Sequence, residues 1–256
     1  MGQIAAHRYV RSARRSPIVP MWGAALTLLT LILAGAPLSV SAEGQDPARE
    51  QLAVLDEAPV TKYRAYRRMY AQNEKFDKEA WLEAWTELDG DTFRYEIVSE
   101  RGSEYVLNKV LKAVLAREQE LIDNGEAGRA ELTPANYQFD EPARQGTGVR
   151  YILIKPKRKD ILLVDGRMVL TQDGTDLLRV EGRLAKNPSF WTNTVNIIRE
   201  FARLDGVRVP LTTESIARLK FAGRARMTVH YEYESINGRQ VSMSARRTMA
   251  SAAVGR

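Results

Sequence analysis

Only two histidines and no cysteine occur in the 256 residues, which narrows the chemistry at once. Without thiols there is no disulfide, no thiolate nucleophile and no thiolate metal site. His7 and His230 alone cannot build a multi-histidine zinc centre. His230, Glu232 and Glu234 alternate along one run and form the nearest approach to an acid–base cluster. Two carboxylates on one strand face lack the opposed placement that paired-carboxylate hydrolysis needs, and no G-x-S-x-G serine accompanies them. They read as solvated strand charges. Asp165, Gly166, Asp173 and Asp176 do not follow the spacing of an EF-hand loop, and turn chemistry accounts for the first three. No glycine-rich phosphate loop is present. The residues point away from catalysis, and neither cofactor nor metal is expected.

Two other groups suit binding. Lys155-Pro156-Lys157-Arg158-Lys159 is a dense basic turn. It reads either as a solvated hairpin tip or as a contact for anionic headgroups or an envelope partner. Trp81, Trp85, Phe190 and Trp191 are bulky residues outside the clearest core pattern. They fill the core, or they line an apolar pocket together with Leu111, Leu115, Tyr151, Leu153 and Tyr231, since large apolar surface left over by a chain tends to be functional.

The elements that must position these groups are mostly strands. Ala225, Met227, Val229, Tyr231 and Tyr233 alternate with Arg226, Thr228, His230, Glu232 and Glu234, which gives one apolar and one wet face. Asp165-Gly166, Asp173-Gly174, Asp205-Gly206 and Asn237-Gly238 read as hairpin turns between apolar runs. They divide a ladder of rungs at 149–155, 160–164, 167–170, 177–184, 194–204, 207–211 and 221–234. Strands are also expected over 80–88 and from Phe93 to Ile97, with a turn at Asp89-Gly90-Asp91; at 63–71 Tyr66 and Tyr70 fit a helix and Tyr63, Ala65 and Met69 a strand, and the neighbouring strands favour the second. Tyr151 to Ile154 and Ile161 to Val164 are apolar on both faces, so a helix or a ligand must cover the second one. The firmest helix is 103–123. Leu107, Val110, Leu111, Val114, Leu115, Leu121 and Ile122 share a face, Ser103 is placed to cap it, and Asn124-Gly125 stops it. A shorter helix is expected from Asp46-Pro47 to Pro59.

Residues 1–42 read as an export signal: a basic region ending at Arg15, an apolar run from Met21 to Ala36, then Val40-Ser41-Ala42. A retained membrane anchor is the competing reading. The expected organisation is a signal at 1–42, one domain at 43–239, and a disordered tail at 240–256 rich in Ala, Ser and Arg. The net charge is +6. Four arginines before Ala42 and three after Arg239 account for all of it, leaving the body at about −1, so no nucleic-acid partner is expected.

The order of signal, short helix, strands, lid-like helix and further strands resembles the periplasmic lipoprotein-carrier (LolA-like) fold. The stretch from Val180 to Phe190, Val-Glu-Gly-Arg-Leu-Ala-Lys-Asn-Pro-Ser-Phe, followed by Val207-Arg208-Val209-Pro210, is similar to exported bacterial proteins grouped near it. The resemblance implies an α+β fold: a curved antiparallel sheet, an incomplete β-barrel, with helices covering its concave face. It also implies a non-catalytic carrier or sensor of a lipid or lipoprotein acyl chain in the periplasm. The chain lacks the lipobox cysteine of the lipid-anchored relatives. The competing reading is an envelope protein–protein interaction module with no ligand cavity.

Overall fold

A computed structural model describes residues 60–141, 143–145 and 148–254. The export signal and the helix expected at 46–59 lie outside them. Twelve strands form one antiparallel sheet: β1 (Lys62–Asn73), β2 (Lys78–Asp89), β3 (Thr92–Gly102), β4 (Tyr137–Phe139), β5 (Ala143–Gln145), β6 (Val149–Pro156), β7 (Val164–Thr171), β8 (Leu177–Leu184), β9 (Thr192–Leu204), β10 (Val207–Leu219), β11 (Gly223–Ile236) and β12 (Arg239–Gln240). The order is β3-β2-β1-β11-β10-β9-β8-β7-β6-β4, and the two end strands do not pair with each other, so the sheet is open. Almost every neighbour in space is a neighbour in sequence, as short hairpin connections dictate. The exception that joins two meanders is β1 against β11, in register from Tyr63↔Ile236 to Asn73↔Ala225.

Several turns follow their sequence. Asp205-Gly206 and Asn237-Gly238 place both residues at positive φ, as a type I′ turn requires. Asp165-Gly166 departs from expectation: it lies inside β7, with Asp165 opposite Arg183 and Gly166 opposite Gly182. The glycine is used for close approach. A Cβ on Gly166 would stand 2.1 Å from the Glu181 carbonyl oxygen, and one on Gly182 2.4 Å from that of Asp165. The rung expected at 160–164 is a loop as far as Leu163, held by Asp160 accepting from the Leu162 N–H at 3.1 Å. Its leucines, Leu162 and Leu163, are buried all the same.

Helix α1 runs as Glu104–Val106, a π-helical turn at Leu107–Leu111, and Lys112–Asp123. All seven expected apolar residues face inward and are buried. The Ser103 side chain makes no capping bond; its carbonyl accepts from the Leu107 N–H at 2.9 Å. At the other end the Gly125 N–H reaches the Ile122 carbonyl and the Glu126 N–H that of Leu121, a Schellman stop with Gly125 at positive φ. Met243–Val254 forms helix α2 where the composition suggests disorder. Ala245 and Met249 are buried, and the Tyr233 N–H donates to Met249 Sδ at 3.2 Å.

One face of the sheet, here the inner face, carries α1. At its centre Arg67 of β1 and Glu118 of α1 form a two-pronged ion pair, Nη1–Oε2 2.6 Å and Nη2–Oε1 2.9 Å. Their side chains are 0% and 1% exposed. Arg67 also donates to Tyr63 Oη at 2.8 Å and lies 4.9 Å from the ring centre of Tyr231. Burial works to lower the Arg67 pKa, but the Glu118 carboxylate and the tyrosines outweigh it and hold it well above the ordinary range.

Removing one partner of such a pair strands a charge in the interior. Glu118→Gln is expected to lower unfolding free energy by about 3–5 kcal/mol in urea denaturation. Arg67→Met combined with Glu118→Leu is expected to lose much less. Equal losses in the two proteins would show that packing, not the stranded charge, sets the effect.

Candidate functional site

Among the described residues, the inner face beneath α1 is filled by the chain's own side chains. Leu111 and Leu115 of α1 and Tyr231 of β11 are all buried in the core cluster there. Tyr231 stacks on Tyr233, and Tyr233 donates its hydroxyl to the Pro210 carbonyl at 3.0 Å. Arg199 is buried in the same region, and burial pushes its guanidinium below the ordinary range against the pull of Tyr231 and Glu118.

The outer face is different. Over β6 to β9 it holds two adjoining hollows. The first, about 490 Å³, lies between the β6–β7 and β8–β9 connections. It is lined by Lys157, Arg158, Lys159 and Arg183 with Asn187, Asn193 and Thr194, against the single carboxylate of Asp165. The second, about 590 Å³, has Leu153, Ile197 and Ile198 in its wall and Lys155, Arg167, Arg183 and Glu181 around them. Asp165 and Arg183 line both, and they pair at 3.2 Å across β7 and β8. Leu153 is 50% exposed. Its neighbours Ile152 and Ile154 take the inner face, which explains why this run is apolar on both sides. The uncovered second side is the floor of a hollow.

The basic turn has two kinds of member. Arg158 is structural: it donates to Asn136 Oδ1 at 2.6 Å and to the Arg129 carbonyl at 3.0 Å, and approaches Asp160 at 3.3 Å. Lys157 and Lys159 are exposed at the rim of the first hollow, and Lys155 lines the second. Asp160 holds the turn. Burial would raise its pKa, but the Leu162 N–H, Arg129 and Arg158 more than offset this and depress it.

The other expected pocket residues do not converge. Trp81 and Trp85 stand half-buried on the outer face of β2, beside Tyr70 and Tyr66 at 5.0 and 5.1 Å between ring centres. Arg101 and Arg64 lie over their rings at 4.5 and 4.2 Å. Tyr151 lies under Arg167 at 4.6 Å. Phe190 and Trp191 sit at the β8–β9 connection, where Trp191 meets Phe221 at 5.5 Å. Glu234 pairs with Arg64 at 2.6 Å and Glu232 with Arg68 on the outer face. His230 lies 3.4 Å from Thr212. Each carboxylate is thus answered by an arginine of the adjoining strand. The residues missed in the sequence are Arg183, Asn187, Asn193 and Ile198. Ile198 had a readable signal, because Ile197-Ile198 is apolar on both faces.

No protein-family model and no curated protein matches the chain. Among solved structures it is similar to a DUF1329 family protein from Desulfovibrio piger, at 10% identity and a TM-score of 0.33, over 73% of this chain and 92% of that one. A likeness of that size transfers neither fold nor function.

Because its folded pKa is depressed, Asp160 contributes stability that is present above the ordinary aspartate value and lost as pH falls through the folded value. The melting-temperature gap between the protein and Asp160→Asn is therefore expected to be constant near neutrality and to close below about pH 4. A gap that persists unchanged into acid would show that shape, not charge, holds the turn.

Proposed function

We propose that the protein is a non-catalytic binding protein of the cell envelope for an anionic amphiphile, a molecule with a phosphate or carboxylate head and an apolar chain. The single observation that carries the reading is the pair of hollows joined at Asp165 and Arg183, one basic and one partly apolar. Both volumes fall in the range of about 300–1,000 Å³ typical of ligand sites. The head would meet Lys157, Lys159 and Arg183, and the chain would lie over Leu153 and Ile198. Charge-assisted hydrogen bonds supply orientation, and the exposed leucine supplies apolar area to cover.

Export to the periplasm is part of the reading and rests on the pattern of residues 1–42. So is the LolA-like arrangement, a curved sheet with a helix over its concave side, which rests on the order of elements. In that family the concave side receives the acyl chain. Here Arg67, Glu118, Tyr63, Tyr231 and Tyr233 occupy the inner face, so the ligand is assigned to the outer face.

Dodecyl phosphate, dodecyl maltoside and inorganic phosphate separate the contributions of head and chain in calorimetric titrations below micelle formation. Dodecyl phosphate is expected to bind best. Arg183→Glu is expected to weaken it by about 1.5–3 kcal/mol, the worth of a hydrogen bond to a charged group. Leu153→Asp is expected to weaken dodecyl phosphate while leaving the weak response to inorganic phosphate unchanged. Equal binding of the maltoside, or full binding by both variants, would sink the reading.

A further inference from the structure

Antiparallel strands deliver their connections to two ends of a sheet, and here the ends differ in chemistry. One end gathers residues 74–77, 157–163, 185–191 and 220–222, the connections β1–β2, β6–β7, β8–β9 and β10–β11. Three of the four are tied together. Lys75 Nζ donates to the Phe221 carbonyl at 2.8 Å, and the Lys220 N–H to the Trp191 carbonyl at 2.9 Å. These four segments carry six Lys or Arg against three Asp or Glu. They also carry large apolar side chains that the fold leaves in water: Phe190 is 76% exposed, Phe221 58% and Phe76 47%. Phe190, Trp191 and Phe221 form one patch, with ring centres 5.1 and 5.5 Å apart and Lys220 Nζ 3.6 Å from the centre of Phe190.

The opposite end includes the connections 90–91, 172–176, 205–206 and 237–238. These connections hold four Asp and no Lys or Arg, and Asp176 pairs with Arg203 of β9 at 2.6 Å. The thirteen residues of β9 separate the two ends, roughly 40 Å at the rise of a strand. The Debye length is roughly 8–10 Å in ordinary salt, so a surface touching one end does not feel the other.

We infer that the aromatic, basic end docks on an anionic lipid bilayer. Aromatic side chains with an apolar body suit the headgroup boundary. Lysines around them attract anionic lipid, each worth roughly fivefold in partition near the surface. The opposite end faces away from the bilayer. The inference goes beyond ligand binding, since Phe76, Phe190 and Phe221 line neither hollow. It also places the mouth of the basic hollow, at Lys157 and Lys159, against the membrane.

The chain has no cysteine, so a single environment-sensitive label reports one position in the full-length protein. Labels at Phe221→Cys, at Phe190→Cys as an independent second site, and at Gln172→Cys on the opposite end are compared by fluorescence. The vesicles are phosphatidylcholine alone, or phosphatidylcholine and phosphatidylglycerol in equal parts. The first two labels are expected to shift blue and brighten with phosphatidylglycerol vesicles, to respond little to phosphatidylcholine alone, and to lose the response in high salt. The label at 172 should not respond. Lys157→Glu with Lys159→Glu should weaken partition about tenfold or more. No response at 190 and 221, or an equal response at 172, overturns the inference. A response equal on both vesicles overturns its electrostatic half. Failure here with dodecyl phosphate binding intact would remove docking alone, and the reverse would remove the ligand reading alone.

Discussion

The buried pair of Arg67 and Glu118 is the constraint on which the rest of the molecule depends. Taking two charges out of water costs several kcal/mol per ion, and only close two-pronged geometry with further hydrogen bonds offsets it. Both conditions are met at 2.6 and 2.9 Å, with Tyr63 as an extra acceptor. A pair with such narrow tolerance fixes α1 on the sheet in one position. With the helix fixed, Leu111, Leu115 and the tyrosines of β1 and β11 fill the inner face beneath it. The two hollows that Asp165 and Arg183 share lie on the outer face.

The outer face is shaped by a second constraint, the close approach of β7 and β8 at Gly166 and Gly182. Backbones that near one another admit no side chain at either position, and glycine inside a strand is the usual mark of such contact. On either side of this pair, Asp165 faces Arg183 and Arg167 faces Glu181. Asp165 and Arg183, which line both hollows, are therefore placed by the register of two strands. The aromatic tip is placed in the same way, by the connections at one end of β8 to β11.

Much of this was legible in the sequence, and the failures have physical causes. Alternation located β2, the neighbouring strands decided β1, and spacing located α1 and its stop at Gly125. Along β2, Trp81 and Trp85 alternate with the buried Ala80, Leu82 and Ala84 and take the outer face. Arg67 and Glu118 were overlooked because charge is usually read as outward. Yet Arg67 falls between Ala65 and Met69 on the inward parity, and Glu118 falls one turn from Val114, Leu115, Leu121 and Ile122. A charge on the apolar stripe of both a strand and a helix is a signal for a buried pair. Asp165-Gly166 misled because Asp-Gly serves two purposes, a positive-φ turn and a Cβ-free contact, and local sequence does not separate them. The tail misled because α2 is held by packing of Ala245 and Met249, which composition does not reveal. The hollows needed three-dimensional register, since Leu153, Arg183 and Ile198 are far apart in the chain.

The central claim is that the helix-bearing face is closed and that the ligand lies on the outside. Amide chemical-shift mapping of nitrogen-labelled protein during a dodecyl phosphate titration tests it most directly. The account predicts that the largest perturbations cluster at Leu153, Lys157, Arg183, Asn193 and Ile198, with Leu111, Leu115 and Tyr231 unmoved. Perturbations centred on Leu111, Leu115 and Tyr231 instead would mean that the inner face opens to admit the chain, and would contradict it.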